Sequence, residues 1–362
     1  MDQSKLELAL QHEDLKQAEA SFLGEGAWHH AWKINTGEQV LVLRIPKEIA
    51  YGKTVEFDKA ALNAEYRGTA LYYQTVNQAV RGAAPEYFRF YVSEELSYTL
   101  EAFAGERLNI HGLIDEEAFK IGENIGRIYR ETEEVPHGLN GFGYLYWSEQ
   151  DGLKGSLEGN PYDNLLEENE EQLADYQFLC QANPVIKEEK MSKAITEACD
   201  IRKRAFTKVS LSNQDASPEN LVLSEGQVRI IDPYPIVYYA RGMAGNFMNL
   251  YETLFALLAD TERYGKLGYD KCAEILRWMA KGFLAGYSAG NEQVAREVRA
   301  EQLLQLLESA FSHQKMLDGE LTKSMRIRYG NKEAIKKRLV LLCDELKKKS
   351  AEFLEKTSTR SV

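Results

Sequence analysis

The apolar positions of this chain fall into two textures. Up to about residue 105 they form short β-branched or aromatic runs. Val40-Leu41-Val42-Leu43-Arg44-Ile45 is one, closed by Pro46 as a strand end would be. Ala31-Trp32-Lys33-Ile34, with the turn residues Asn35-Thr36-Gly37-Glu38, predicts its hairpin partner. Tyr87-Phe88-Arg89-Phe90-Tyr91-Val92 and Tyr98-Thr99-Leu100-Glu101-Ala102-Phe103 predict two further strands across a polar turn. Residues 5–20 read as a helix, and residues 57–80 have helical composition, with Ala60, Leu62, Ala64, Ala70 and Leu71.

After Gly105 the apolar period lengthens. Phe119, Ile121, Ile125 and Ile128 place a helix over 115–132, a long helical block covers roughly 162–206, and helices fill 245–316. Residues 136–160, rich in glycine and aromatics, read as a structured loop. A short strand pair returns in Leu221-Val222-Leu223 and Val228-Arg229-Ile230-Ile231. In the tail, Ile335, Leu339, Leu342 and Leu346 line one face of a basic amphipathic helix, which would pack on the helical part or meet an acidic partner. The pattern predicts an α+β fold. Its smaller, antiparallel-sheet part spans 1–104, and its larger, mainly helical part spans 105–362.

Composition narrows the classes. No apolar run approaches the ~18 residues a membrane helix needs, and the polar start Met1-Asp2-Gln3-Ser4-Lys5 lacks a secretory core. Cys180, Cys199, Cys272 and Cys343 lie far apart, which disfavours a zinc ribbon or disulfide scaffold and fits a cytoplasmic protein. Net charge is −12, unevenly spread: from Thr322 onward 12 Lys and Arg face 5 Asp and Glu, a local +7 that leaves −19 on the rest. So acidic a body argues against nucleic acid as a partner, and would tolerate or attract a cationic small molecule. The histidines show no H-E-x-x-H spacing and there is no G-x-S-x-G. Gly52-Lys53-Thr54 is not a Walker A loop, because Lys47 stands where its leading glycine belongs.

The most informative stretch is Asn213-Gln214-Asp215-Ala216-Ser217-Pro218-Glu219-Asn220, followed by Arg229-Ile230-Ile231-Asp232. A carboxylate in a short loop can accept a proton from an attacking alcohol. An amide oxygen five residues on, and a carboxylate closing the next apolar run, are hard ligands suited to magnesium. Upstream, Gly24-Glu25-Gly26 marks a turn where backbone N–H groups can approach phosphate, or an ordinary hairpin. Arg44 is a cation on an apolar strand and needs an anion: phosphate oxygens, or Glu65 on the following helix.

This order of features resembles the protein-kinase-like fold, and within it the aminoglycoside phosphotransferase and choline kinase branch. Leu41-Val42-Leu43-Arg44-Ile45-Pro46 is similar to that family's strand ending in Arg. Tyr98–Glu106 is similar to its hinge, and His137-Gly138-Leu139-Asn140-Gly141-Phe142-Gly143 to a glycine-rich loop of its C-lobe. The resemblance covers about residues 20–260. It implies a bilobal kinase fold and an enzyme moving the γ-phosphoryl of ATP (or GTP) to a small-molecule hydroxyl with Mg2+. Asp215 is then the catalytic base. Asn220 and Asp232 are metal ligands. Arg44 binds phosphate with Glu65 as its ion-pair partner, Gly24 and Gly26 cover the phosphates, and the hinge at Glu101 and Phe103 meets the base. A protein kinase, or a nucleotide-binding pseudokinase or scaffold, shares the fold; a helical interaction protein would explain the tail but not the ordered motifs. Three positions depart from the pattern. Asn213 stands where His leads the loop, His29 stands where a third loop glycine would fall, and Pro233-Tyr234 follow Asp232.

Overall fold

A computed structural model describes residues 3–358, which form two compact units. The first comprises Met1–Leu108, Glu134–Leu157 and Leu211–Val237; the second comprises Asn109–Glu133, Glu158–Ser210 and Tyr238–Val362. The boundary suggested near Gly105 falls close to Leu108. The chain then returns to the first unit twice, and the second return carries the Asp215 loop.

The first unit is built on an antiparallel five-stranded sheet. Its strands are β1 (Glu19–Glu25), β2 (His29–Asn35), β3 (Val40–Pro46), β6 (Phe88–Val92) and β7 (Ser97–Ala102), in the order β1-β2-β3-β7-β6. Between β3 and β6 lie the small hairpin β4 (Ile49–Ala50) and β5 (Lys53–Thr54), and helix α2 (Lys59–Ala79). Strand alternation gives the sheet two chemistries. One face carries Trp32, Ile34, Leu41, Leu43, Ile45, Tyr98 and Leu100, covered by Leu6, Ala9 and Leu10 of α1 (Gln3–His12). The register Ala31↔Arg44↔Thr99 and Lys33↔Val42↔Glu101 puts the polar residues together on the other face. The expected helix over 5–20 therefore ends at His12. Asp14 adopts a left-handed φ of 57°, Leu15 bonds back to Leu10, and from Glu19 the chain pairs with β2.

Residues 136–160 are a hairpin rather than a loop. β9 (Phe142–Ser148) and β10 (Gly152–Leu157) pair antiparallel, and β9 also pairs with β14 (Pro235–Tyr238). Gly155 permits this, since a Cβ there would lie 2.2 Å from the Phe142 nitrogen. β14 also neighbours β11 (Ser210–Asn213). The expected short strand pair is β12 (Leu221–Ser224) and β13 (Gln227–Ile230), with the two-residue strand β8 (Glu106–Arg107) on the free edge of β12.

The second unit is helical: α3 (Asp115–Thr132), α4 (Pro161–Ala182), α5 (Glu189–Ala205), α6 (Ala240–Asn249), the single turn α7 (Phe255–Leu257), α8 (Ala273–Ser288), α9 (Glu292–Asp318), α10 (Lys323–Tyr329) and α11 (Lys332–Ser358). The block over 162–206 is two helices, broken at Asn183-Pro184, where proline cannot continue the helix. Helix α11 is part of the core: Ile335, Leu339, Leu342 and Leu346 are all buried, the last three against α5 and α9. Among the described residues no helix is long and apolar enough to cross a membrane.

Candidate active site

The sequence-predicted site residues all lie in the first unit, and most converge on the polar sheet face and the loops beside it. β3 presents Arg44 from the middle of the sheet. Its Nε and Nη2 both donate to Glu101 Oε1, at 3.1 and 2.9 Å, and its Nη1 lies 3.6 Å from Asp232 Oδ2. Glu101 is 2% exposed, so this is a buried charge-assisted pair. Burial works against the Arg44 charge, but the Glu101 and Asp232 carboxylates outweigh it and hold the guanidinium ionised.

Two assignments change here. Glu65 is not the partner of Arg44; the cross-strand register brings Glu101 to it first. Glu101 acts through its side chain, because its backbone sits inside the sheet, opposite Val42 on one side and Phe88 on the other. The amides of Ala102 and Phe103 are spent on the Tyr87 and Val40 carbonyls, so the chain leaves the ladder after Phe103. Over the Phe103 ring stands the Lys33 ammonium, 4.1 Å from the centroid.

Glu65 belongs to a neighbouring cluster. It lies 3.8 Å from His29 Nε2, which also contacts the Tyr66 hydroxyl at 3.2 Å. The Glu65 side chain keeps 43% of its surface open to solvent, yet its recessed setting and the charge on Asp232 raise its pKa to about 7. Burial lowers His29 to about 4, more than the Asp232 carboxylate can offset. Near the end of β1, where the pairing with β2 is irregular, Gly24 has φ +154° with open space where a Cβ would go. The Gly26 N–H bonds the His29 carbonyl and closes the hairpin.

The Asp215 loop is braced by Asn213, itself 2% exposed. Asn213 Nδ2 donates to the Asp215 carbonyl at 2.8 Å, and its Oδ1 accepts from the Asp215 and Tyr234 amides at 3.1 and 2.9 Å. Gln214 N–H donates to the Tyr234 carbonyl at 3.0 Å. These bonds tie the Tyr234 backbone to the Asp215 loop, and its exposed ring lies 6.1 Å from the exposed ring of Tyr144. Asp215 Oδ1 accepts from the Ser217 amide at 3.0 Å. Much of the Asp215 side chain is open to solvent, yet its recessed setting and the charge on Asp232 raise its pKa against the pull of that bond.

Pro218 starts a single turn that brings Asn220 back toward the strand end. Ile231 N–H bonds the Asn220 carbonyl at 3.0 Å, and Asn220 Nδ2 donates to the Asp232 carbonyl at 3.2 Å. Asp232 follows with φ +48°, a left-handed conformation that costs a non-glycine residue ~1–3 kcal/mol and persists only where its surroundings enforce it. With its Nδ2 turned to that carbonyl, Asn220 has an amide oxygen left for a ligand, and half of the Asp232 side chain is open. Among the described residues no cluster of three or more His, Cys, Asp or Glu is arranged to hold a metal by protein alone. One carboxylate and one amide oxygen nonetheless fit Mg2+, which binds through few protein ligands and completes its octahedron with water and phosphate.

Sequence reasoning missed Tyr73, Tyr66, Tyr144 and Lys33, and met Tyr234 only as a departure from the family pattern. One signal was present: Glu101 is a carboxylate within an otherwise apolar strand, in phase with Thr99 and Phe103.

No family model and no curated protein sequence matches this chain. Its structure is similar to solved structures at low identity. A thermostable mutant of aminoglycoside phosphotransferase APH(4)-Ia, in a ternary complex with ADP and hygromycin B, superposes with a TM-score of 0.54 at 13% identity over 96% of this chain and 99% of that one. Aminoglycoside phosphotransferase APH(4)-Ia in another crystal gives 0.54 at 14% identity, over 96% and 98%. An ethanolamine kinase of Plasmodium vivax gives 0.49 at 13% identity, over 96% and 89%. What the chain shares with the aminoglycoside phosphotransferase structures is the fold: an antiparallel-sheet N-terminal region and a larger helical C-terminal region, the bilobal protein-kinase-like architecture.

Proposed function

We propose that this chain is a phosphotransferase that moves the γ-phosphoryl group of ATP (or GTP) to a hydroxyl of a small molecule. The observation that carries this reading is the convergence of Asp215, Asn220, Asp232 and Arg44 through one hydrogen-bonded frame, on a fold shared with nucleotide-bound phosphotransferase structures. Asp215 orients the acceptor hydroxyl and takes its proton; its raised pKa suits a base that must also release that proton. Asn220 Oδ1 and the Asp232 carboxylate would hold Mg2+, which would supply positive charge against the nucleotide phosphates. Arg44, held by Glu101, turns its Nη1 edge toward Asp232 and the phosphates. Gly24 and Gly26 leave the β1–β2 turn open to the phosphates, and the chain after Phe103 meets the base beneath Lys33.

The acceptor meets Tyr144 and Tyr234. With Asp215, Asp232 and Glu65 nearby, that surface suits an acceptor carrying positive charge. Asn213 supports an active enzyme over a pseudokinase, because it braces the loop without touching the Asp215 carboxylate. A cytoplasmic setting belongs to the same reading, since Cys180, Cys199, Cys272 and Cys343 are free thiols.

The test screens hydroxylated metabolites and antibiotics for acceptor-stimulated release of ADP or GDP, in wild type and in Asp215→Ala. Wild type should respond to at least one acceptor. Asp215→Ala should lose the response while binding Mg-nucleotide within ~3-fold of wild type, because proton transfer and orientation at that carboxylate supply a factor of ~100 or more. Wild type that binds neither nucleotide overturns the proposal.

A further inference from the structure

We propose that Tyr73 is a positioning residue that holds the Asp232 carboxylate in its metal-binding pose, through one hydroxyl shared between Asp232 and the Arg44–Glu101 pair. The inference rests on the phosphotransferase reading, and it identifies what enforces the strained backbone at the metal site.

Tyr73 lies on α2, 2% exposed, its ring edge-on to Phe88 at 5.5 Å. Its hydroxyl donates to Glu101 Oε2 at 3.0 Å and accepts the Asp232 N–H at 2.9 Å. Glu101 Oε1 takes Arg44, and Arg44 reaches back to Asp232 Oδ2 at 3.6 Å. Glu101, Arg44, Asp232 and Tyr73 thus close a ring. A hydroxyl fits this place because it donates and accepts at once.

The consequence falls on Asp232. Its left-handed φ must be enforced, and both of its backbone groups are tied: the carbonyl by Asn220 and the N–H by Tyr73. The Asn220 tie spans only the β12–β13 hairpin, whose two ends it joins. The Tyr73 tie comes from α2, and it fixes the carboxylate relative to the phosphate-facing cation. Helix α2 therefore reaches the metal site through a neutral hydroxyl, while the carboxylate that orients Arg44 comes from β7.

Tyr73→Phe keeps the ring and removes the hydroxyl. Binding of a non-hydrolysable ATP or GTP analogue is titrated against Mg2+ by calorimetry, with affinity in EDTA measured beside it and unfolding temperature recorded. The Mg2+ midpoint should rise roughly 10-fold, the lower end for loss of an outer support of a metal ligand. Affinity in EDTA should stay within ~2-fold, and turnover at saturating Mg2+ should recover most of the wild-type rate. A lowered unfolding temperature with an unchanged Mg2+ midpoint overturns the proposal and leaves the hydroxyl a purely structural role. An equal loss with and without Mg2+ also overturns it, placing the effect on Arg44. Wild type without any Mg2+-dependent nucleotide binding refutes the phosphotransferase reading itself, and this one with it. If Tyr73→Phe does not fold, 3,5-difluorotyrosine at the position keeps ring and hydroxyl but weakens the acceptor, and should shift the midpoint the same way by less.

Discussion

At the scale of single residues, Asn213 and the Glu65–His29 pair carry the sharpest consequences. Asn213 occupies the place of a loop-leading histidine, but it makes three bonds: it donates to the Asp215 carbonyl and accepts two amides. An imidazole has one donor and one acceptor and cannot repeat that set. Asn213→His should therefore lower the turnover rate rather than restore one. Asn213→Ala should lower stability in urea unfolding by ~1–3 kcal/mol, the cost of buried amides without acceptors. Glu65 and His29 act on pH dependence with opposite signs. Glu65 rises from 4.5 to about 7, so between those values the folded chain holds a proton that the unfolded chain releases, and stability falls as pH rises. His29 falls from 6.5 to about 4, so between those values the unfolded chain holds the extra proton, and stability rises with pH. The two slopes oppose each other over most of pH 4.5–6.5. Glu65→Gln should make thermal stability climb with pH through that window relative to wild type, and His29→Gln should make it decline. Parallel profiles for both variants would contradict the assignment.

At the scale of elements, helices α3 and α8 meet backbone to backbone. Gly122 and Gly126 on one face Gly282 and Gly286 on the other. A Cβ on Gly122 would lie 2.0 Å from the Met279 carbonyl oxygen, on Gly126 2.1 Å from that of Phe283, on Gly282 1.9 Å from that of Phe119, and on Gly286 2.0 Å from that of Glu123. The obstacle is backbone each time, so no side chain can step aside. Gly126→Ala and Gly282→Ala should each cost at least ~1–3 kcal/mol by overpacking. Because either one forces the helices apart, the double variant should cost less than the two together; strict additivity would show independent local strain instead. Both glycine pairs stand four apart in the sequence, yet their partnership was not legible there, since it depends on a crossing between segments about 160 residues apart. The same limit explains the rest. The helix over 115–132 and the β2–β3 hairpin were legible because their periods are local. The Asp215, Asn220 and Asp232 set was legible because one loop and one strand carry it. Glu101 in place of Glu65, and the role of Tyr73, required the sheet register and the packing of α2. The β9–β10 hairpin was hidden by glycines whose backbones pack too closely for side chains.

At the scale of the whole molecule, chemistry and bulk are divided. Every candidate site residue lies in the first unit, whereas the acidic helices and the basic tail make up the second. From sequence the basic tail helix would pack on the helical part or meet an acidic partner, and the first holds: Leu342 and Leu346 are completely buried, with Leu339, Cys343 and Phe353 in the same core as Leu303, Leu304 and Leu307 of α9. Its charge is also partly matched, Lys347 by Glu188 just before α5 and Lys349 by Glu252. The apolar burial decides stability, since exposed pairs such as Lys347–Glu188 contribute ~0–1 kcal/mol, while deleting a buried leucine side chain costs ~2–5 kcal/mol. Lys347→Ala should therefore leave urea unfolding within ~1 kcal/mol of wild type. Leu342→Ala should lower the stability of the helical unit by the larger amount, followed by far-UV circular dichroism. Below its transition, Leu342→Ala should still bind Mg-nucleotide within a few-fold of wild type, because none of the groups assigned to the nucleotide belongs to that unit. Equal losses of helical stability and nucleotide affinity would mean that the tail helps to build the site, and that the division of labour drawn from the two units is wrong.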